Sequence, residues 1–313
     1  MSRKNYIVAY TFVSSGMLLI FFLSFLPLVF SLVIAFTNLE KQVIGDFVRQ
    51  GFSVIKFVGL KNFEWIIKHE SVVLYKTLKW NIIWTLINVF FHVSLGIMLA
   101  ILLNNKWMSA IEKAIWRFIL ILPWAIPSFV TILVWRTMFY EKGFINAVLG
   151  YLGFDALPWM TNPFWAKVAV IIINVWLGVP FMMIIALGAL QSTPNELYEA
   201  ASVDGASQWQ KIRYITIPLV LRIMMPSILL GIIWTFNKFD VIWLYNRGGP
   251  VVSTNIGETI YTYGATNLLI TYMYNYFYNQ HAWNIAAALG YVVFVVLLVL
   301  SLINIRLQRW AEE

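Results

Sequence analysis

The chain has no cysteine, which excludes disulfides and thiolate metal sites and leaves the compartment open. Charge is also scarce: 12% of residues are charged, against about 25% in ordinary soluble domains. The three histidines, His69, His92 and His281, are far apart and share no motif, so a membrane enzyme built on a histidine cluster finds no support. No G-x-x-x-x-G-K-[ST] stretch occurs, so the chain lacks a phosphate-cradling loop, and ATP-driven work would need another polypeptide. Repeat halves with broken helices, the usual mark of an ion-coupled secondary transporter, are not apparent either. That class stands as the alternative.

Apolar sequence is what abounds. At 61% hydrophobic over 313 residues, one membrane domain is the simplest reading. The net charge of +8 comes from basic residues placed singly between apolar runs, as flanks of spans are. Such spacing points to a lipid bilayer, with no patch for nucleic acid. Fifteen Trp and fifteen Tyr fit interfacial belts or an aromatic-lined pathway, and their number does not separate the two.

Arg3 and Lys4 precede an uncharged run from Asn5 to Leu39. It is too long for a signal peptide and lacks a small-x-small cleavage site, so it reads as a retained first span. Residues 41–76 form a mixed-charge external loop with short helices such as Leu60 to His69. Further spans are expected between Lys79 and Lys106, Arg117 and Arg136, Lys167 and Gln191, Arg222 and Tyr245, and His281 and Arg306. Pro123 and Pro127 should kink the third. The fold class is therefore an all-α membrane protein with six transmembrane helices. Thr259 to Gln280 is uncharged but rich in Tyr and Asn, which favours an external interfacial segment over a seventh span.

Lys106, Lys113, Arg117, Lys211, Arg213, Arg222, Arg306 and Arg309 fall on one side with Arg3 and Lys4, which makes both termini and the 191–220 loop cytoplasmic. Lys142 and Arg247 fall opposite. The first external loop works against this rule with Lys41, Arg49, Lys56, Lys61, Lys68 and Lys76, partly offset by Glu40, Asp46, Glu64 and Glu70.

Gln191 to Val220 is a polar segment between two span-length runs. Thr193 is a suitable N-cap, Pro194 fits the first helical position, and Glu196 completes a capping box. Leu197, Ala200 and Ala201 make a small-residue face, and Gly205 can end the helix left-handed. A second helix is expected from Ser207 to Ile215, stopped by Pro218. The product is a knob suited to a partner's groove or, more plainly, a capped hairpin with no partner.

Glu199-Ala200-Ala201, then Gly205, then Ile215-x-Ile217-Pro218 resembles the EAA loop of ABC-importer permeases, with Ile217 where leucine usually precedes the proline. A second stretch, Phe236-Asn237-Lys238-Phe239-Asp240 followed by Gly248-Gly249-Pro250 and Thr254, is similar to the FN-x-FD … GGP … T pattern of the sugar-uptake branch, which includes the maltose and glycerol-phosphate permeases. Tyr245-Asn246-Arg247 departs from the usual Leu-Thr-x before the glycines. Trp283-Asn284-Ile285-Ala286-Ala287-Ala288 stands where that branch has an aromatic-glycine-x-Ala-Ala-Ala run. The likeness covers roughly residues 75 to 300.

The resemblance implies a type I ABC importer permease with a five-helix core over 77–306, the first span (1–40) packed outside it, and a cytoplasmic tail over 307–313. It implies that Glu199 pairs with a basic residue of an ATPase, that Ala200 and Ala201 allow close approach beside Leu197 and Asp204, and that Gly205 allows the bend. It implies a second permease as partner, usually in a heterodimer, two ATPase subunits that hold ATP and Mg, and an extracytoplasmic solute-binding protein. No cofactor belongs to this chain. The substrate implied is a sugar or oligosaccharide, and Arg247 with the basic first loop favours an anionic one or, alternatively, an acidic receptor face.

Physics nominates path residues separately. Asn237, Lys238 and Asp240 beside a span are costly unless they face water or partners. Two residues apart on a helix, Lys238 and Asp240 should not meet, so each would need its own partner. Sugars take aromatic faces plus amide and carboxylate bonds. Trp84, Asn88 and His92 recur at i, i+4, i+8 in the second span, and Asn174 and Trp176 lie in the fourth. Trp243, Tyr245, Trp283 and Asn284 complete the candidates. For each, packing or interfacial anchoring is the plain alternative.

Overall fold

The computed structural model describes residues 3–105 and 107–312. Lys106, the expected flank of the second span, lies outside the described residues, as do residues 1–2 and 313. Two compact units emerge, Met1–Ser71 with Met273–Val296 and Val72–Tyr272 with Leu297–Glu313.

In the first unit, α1 (Arg3–Ile20), a π turn (Phe21–Phe25) and α2 (Leu26–Ala35) supply a 26-residue apolar helix, Tyr10–Ala35. Pro27 sits in the first turn of α2, where the widened turn before it absorbs a residue without an N–H. Then come α3 (Lys41–Gln50) and α4 (Lys61–Trp65). The chain between them is stapled by asparagines. Asn62 Nδ2 donates to the carbonyls of Ala35 and Thr37, both at 2.8 Å, and Asn38 Oδ1 accepts from the Lys56 amide at 2.7 Å. The Asn62 bonds satisfy one carbonyl at the end of α2 and one just beyond it.

Leu60–His69 is no separate surface helix: α4, a π turn (Ile66–Glu70) and α5 (Ser71–Leu103) run on as one helix, Lys61–Leu103. No proline or glycine stands between positions 61 and 95 to stop it.

In the second unit α5 continues to α6 (Ala110–Ala125), α7 (Ser128–Met138), α8 (Phe144–Tyr151), α9 (Pro163–Ser192), α10 (Asn195–Val203), α11 (Gln208–Lys211), α12 (Ile217–Phe236) and α13 (Asp240–Asn246). The expected kink in the third span is a break. α6 and α7 meet at 89°, because Ile126, preceding Pro127, is extended (φ −79°, ψ 137°), as a residue before proline is. Caps set the ends. Ser109 and Glu112 form a capping box on α6, and Asn162 Oδ1 accepts from the amides of Phe164 and Trp165 before Pro163 opens α9.

Two clusters hold this unit together. One joins Trp80, Trp84, Phe139, Trp159, Ile173 and Tyr245; the other joins Ile97, Met182, Ala186, Leu190, Val220 and Met224. Close approach depends on small residues, as it does between membrane helices generally. A Cβ on Gly96 would lie 2.8 Å from Met182 Cβ.

The mostly helical fold has one addition that the helical reading did not contain. β1 (Val251–Ile256) and β2 (Thr259–Gly264) pair antiparallel, Val251 opposite Gly264 and Thr254 opposite Tyr261. Gly257 (φ 60°) opens a two-residue loop whose twist suits a hairpin. After it come α14 (Leu269–Tyr278) and α15 (Trp283–Glu312). The stretch 259–280 is thus a strand plus a ten-residue helix, half the length a crossing needs. Among the described residues four helices are long and apolar enough to span, or five if α6–α7 count as one. The sixth expected span falls in α15, 30 residues long, whose apolar part includes Trp283–Val299.

Candidate functional site: a polar hairpin and a buried polar seam

The hairpin between α9 and α12 is built by local hydrogen bonds. Thr193 does not cap α10. Its Oγ1 donates to the Ala189 carbonyl at 3.0 Å, closing the preceding helix instead, so α10 starts after Pro194 with no side-chain cap. That corrects the expected capping box with Glu196. The far end of α10 behaves as expected: Gly205 has φ 79°, its amide donates to Ser202 O at 3.1 Å, and that of Ala206 to Ala201 O at 2.9 Å, a Schellman closure. Ser207 and Gln210 then box the start of α11.

Pro218 was expected to stop this second helix. Instead α11 passes through a π turn (Ile212–Thr216) into α12, with Pro218 in the first turn. The extra residue in that turn removes the need for an amide at the proline. Glu199, Ala200, Asp204 and Gly205 are exposed, Leu197 is exposed and Ala201 is half-buried. No residue of α10 is buried.

The second region lies inside the bundle. Trp84, Asn88 and His92 do share one face of α5, and all three are buried. Asn174 Nδ2 donates to Asn88 Oδ1 at 2.8 Å, and Asn88 Nδ2 to Trp84 O at 2.8 Å. His92 Nε2 lies 3.0 Å from Asn174 O. A carbonyl only accepts, so Nε2 carries the proton. Trp84 Nε1 donates to Thr235 O at 2.9 Å. Gly178 leaves room for the imidazole, since a Cβ there would overlap the His92 ring.

Asn81 extends this seam and was not among the sequence candidates. Its Nδ2 donates to Phe236 O at 3.1 Å, and its Oδ1 accepts from the Leu269 amide at 2.8 Å. The signal was present: Asn81, Thr85, Asn88 and His92 recur at i, i+4, i+7, i+11 in an apolar run.

The 237–250 stretch is more open. α12 ends at Phe236, and Asn237 turns back to donate its Nδ2 to Ile233 O at 3.2 Å. Lys238 and Asp240 do meet, at 3.1 Å, against expectation, because residues 237–239 are not helical. Trp243 is half-buried and stacks on Phe239 with centroids 5.5 Å apart. Tyr245 is fully buried and donates its hydroxyl to Trp159 O at 3.0 Å. Trp176 is 48% exposed, its ring edge-on to Trp135.

The Gly-Gly-Pro sequence is a turn. Arg247 (φ 54°) and Gly248 (φ 87°) are left-handed and Gly249–Pro250 is cis. A Cβ on Gly248 would overlap the Asn267 amide. Thr266 holds the turn through its hydroxyl, whose one proton is shared between Gly249 O (2.8 Å) and Asn246 Oδ1 (3.0 Å).

The other two candidates belong to the first unit. Asn284 is buried, donates to Asn62 Oδ1 at 3.1 Å and takes its backbone partner from Leu39 O. Trp283 is half-buried beside His281 and Phe277. An apolar groove of about 480 Å³ in that unit, lined by Phe36, Leu60, Phe63, Tyr291, Val292, Val295 and Val296, offers no charged or amide group to a sugar. No cluster of metal-ligating residues occurs among the described residues.

Comparison with known proteins places this geometry. The galactooligosaccharides transport system permease protein GanP of Bacillus subtilis is 36% identical over 97% of this chain and 71% of its own length. The maltodextrin transport system permease protein MalC of Streptococcus pneumoniae serotype 4 is 34% identical over 88% of this chain and 63% of its own. The chain thus spans about two thirds of the length of these relatives. A solved bacterial ABC transporter involved in the import of the acidic polysaccharide alginate matches with a TM-score of 0.80, over 98% of this chain and 96% of that one. At 23% identity that likeness concerns the fold alone. The family model for binding-protein-dependent transport system inner membrane components matches residues 92–312, and the chain belongs to that family.

Proposed function

We propose that this chain is the permease subunit of an ATP-binding-cassette importer and forms, with a second homologous permease, the path for a sugar or oligosaccharide. An extracytoplasmic solute-binding protein delivers the substrate. Two separate ATPase chains bind ATP and Mg and hydrolyse it, while this chain performs no covalent chemistry. In this reading residues 1–40 carry the first span, 41–76 an external loop, 77–306 the permease core and 307–313 a cytoplasmic tail. Both termini and the 191–220 loop face the cytoplasm.

The observation that carries the reading is the exposed face of α10. Leu197, Glu199, Ala200 and Asp204 stand in the open, on a short helix rooted between two long apolar ones, and nothing in α10 is buried. Small residues let a partner helix approach closely, and Glu199 offers it a carboxylate. Names of the relatives support a saccharide cargo. Closure of the ATPases displaces the hairpin, and the paired permeases swing as rigid bodies between inward- and outward-facing states.

Substrate contact belongs to the open stretch, with Asn237, Asp240, Trp243 and Trp176 the residues able to reach a cavity. Trp84, Asn88, His92, Asn174 and Tyr245 support that wall from within, and Trp283 and Asn284 serve the first unit. The test is copurification of the chain with its chromosomal neighbours. An ATPase should be retained by the unaltered chain and lost from Glu199→Ala and from Gly205→Pro, whose ring cannot adopt φ 79°. Transport by the chain alone, with the hairpin altered, would overturn the proposal.

A further inference from the structure

We infer that a closed circuit of four hydrogen bonds makes the 191–220 hairpin a rigid lever, with Tyr198, Ser202, Lys211 and Thr216 as positioning residues between the ATPase and α12. This rests on reading the hairpin as the docking element.

Tyr198 Oη and Thr216 Oγ1 are 3.0 Å apart. Thr216 Oγ1 donates to Lys211 O at 3.3 Å. Its single proton is thereby used, so the tyrosine hydroxyl is the donor to it. Lys211 Nζ donates to Ser202 Oγ at 2.6 Å, and Ser202 Oγ to Tyr198 O at 2.7 Å. Tyr198 and Lys211 each enter twice, once by side chain and once by carbonyl. The chain of donors therefore closes on itself across the Gly205 turn.

Its position gives it a task. No residue of α10 or α11 is buried, so apolar packing does not fix the angle between the two arms. The Schellman bonds of the turn fasten residues 205 and 206 back onto α10 and do not reach α11. Thr216 is 4% exposed and is the N-cap residue of α12, at the end of a π turn. Such a widened turn has poorer hydrogen bonding and bends readily. The Thr216 hydroxyl bridges it from residue 211 to 216. A push on α10 would be absorbed at this joint if the circuit were open. Closed, it passes to α12, and the Thr216 and Ser202 hydroxyls, each accepting one bond while donating another, strengthen the two bonds they join.

The absence of cysteine gives a direct test. Val203→Cys, at a site 88% exposed, and Ile223→Cys, at one 47% exposed, carry spin labels in the complex with its ATPase. Pulsed electron-spin measurements then read the distance across the joint, without nucleotide and with Mg-ATP and vanadate. In the otherwise unaltered chain one narrow distance should persist in both states. Thr216→Val and Tyr198→Phe should broaden it roughly two-fold or more, as loss of one bond in a marginal joint would, while ATPase still copurifies. Thr216→Ser should restore the narrow distance. If Thr216→Val does not fold, Lys211→Met opens the same circuit at its exposed end. An unchanged width in variants that retain the ATPase overturns the lever. Failure of the docking reading looks different: Glu199→Ala would then leave ATPase retention unaltered, whatever the width.

Discussion

Lys238 Nζ lies 3.1 Å from Asp240 Oδ1, with the two side chains 28% and 30% exposed. The pair exists because α12 stops at Phe236 and α13 begins at Asp240, so the chain between them is free to bring alternate residues together. The carboxylate also stands in the first turn of α13, where the helix dipole favours it.

Removing one partner leaves the other charge half-desolvated. Lys238→Met or Asp240→Asn alone should therefore lower the melting temperature in detergent, and the double variant should lie closer to the unaltered protein than the sum of the singles. Partial exposure limits the coupling to about 1 kcal/mol. Strict additivity in the thermal cycle would show that the two charges act independently.

The seam between α5 and α9 should behave as packing. Gly178→Ala puts a methyl on the His92 ring and should destabilise by about 1–3 kcal/mol. Against the His92→Ala single variant the same methyl should cost far less, a recovery of most of that loss, because the clashing atoms are gone. A thermal melt of the two singles and the double decides it, and no recovery would place the strain elsewhere.

Tyr245 and Trp176 should separate support from contact. Tyr245→Phe removes the bond to Trp159 O and leaves a buried carbonyl without its donor, a cost of about 1–3 kcal/mol, seen as a lower melting temperature. Trp176→Ala, at an outward-facing ring, should lower saccharide uptake into vesicles with little change in melting. The reverse pattern would exchange their roles.

Gly248→Ala should be among the most damaging single-methyl changes. It strains a residue at φ 87° and drives a Cβ into Asn267. Reduced yield of the folded protein checks this, whereas Gly150→Ala, at a site with open space around it, should be neutral.

Much of this was legible in the sequence, for identifiable reasons. α9 and α12 follow from uninterrupted apolar runs, and the hairpin between them from polar composition and Gly205. The Lys238–Asp240 contact was not legible, since it depends on where a helix ends, and end positions are the least determined part of any pattern. Thr193 carried a cap's chemistry, but the N-cap of α10 is the next residue, Pro194, and the hydroxyl turns back to donate to the Ala189 carbonyl. The β-hairpin was readable in principle: Val251 to Gly264 is rich in β-branched and aromatic residues around Ile256-Gly257-Glu258-Thr259, a hairpin signal obscured by the expectation of helices throughout. Of the path candidates, sequence supplied the residue types and spacing. Only the packing distinguishes an inward Asn88 from an outward Trp176.

The π turns at Phe21–Phe25 and Ile212–Thr216 each precede a proline by one intervening residue, Leu26 before Pro27 and Ile217 before Pro218. A π turn closes on the fifth residue where an α turn closes on the fourth, so each holds one residue more than an ordinary helix would. Deleting that residue returns the backbone to α-helical spacing and leaves the side-chain phase on either side nearly unchanged, because the wide turn had already absorbed the extra residue within about one turn. Lineages that lose either proline can therefore shed a residue at the same place. Single-position gaps among relatives should collect at these two joints, where chain length changes without turning the faces of the helices on either side.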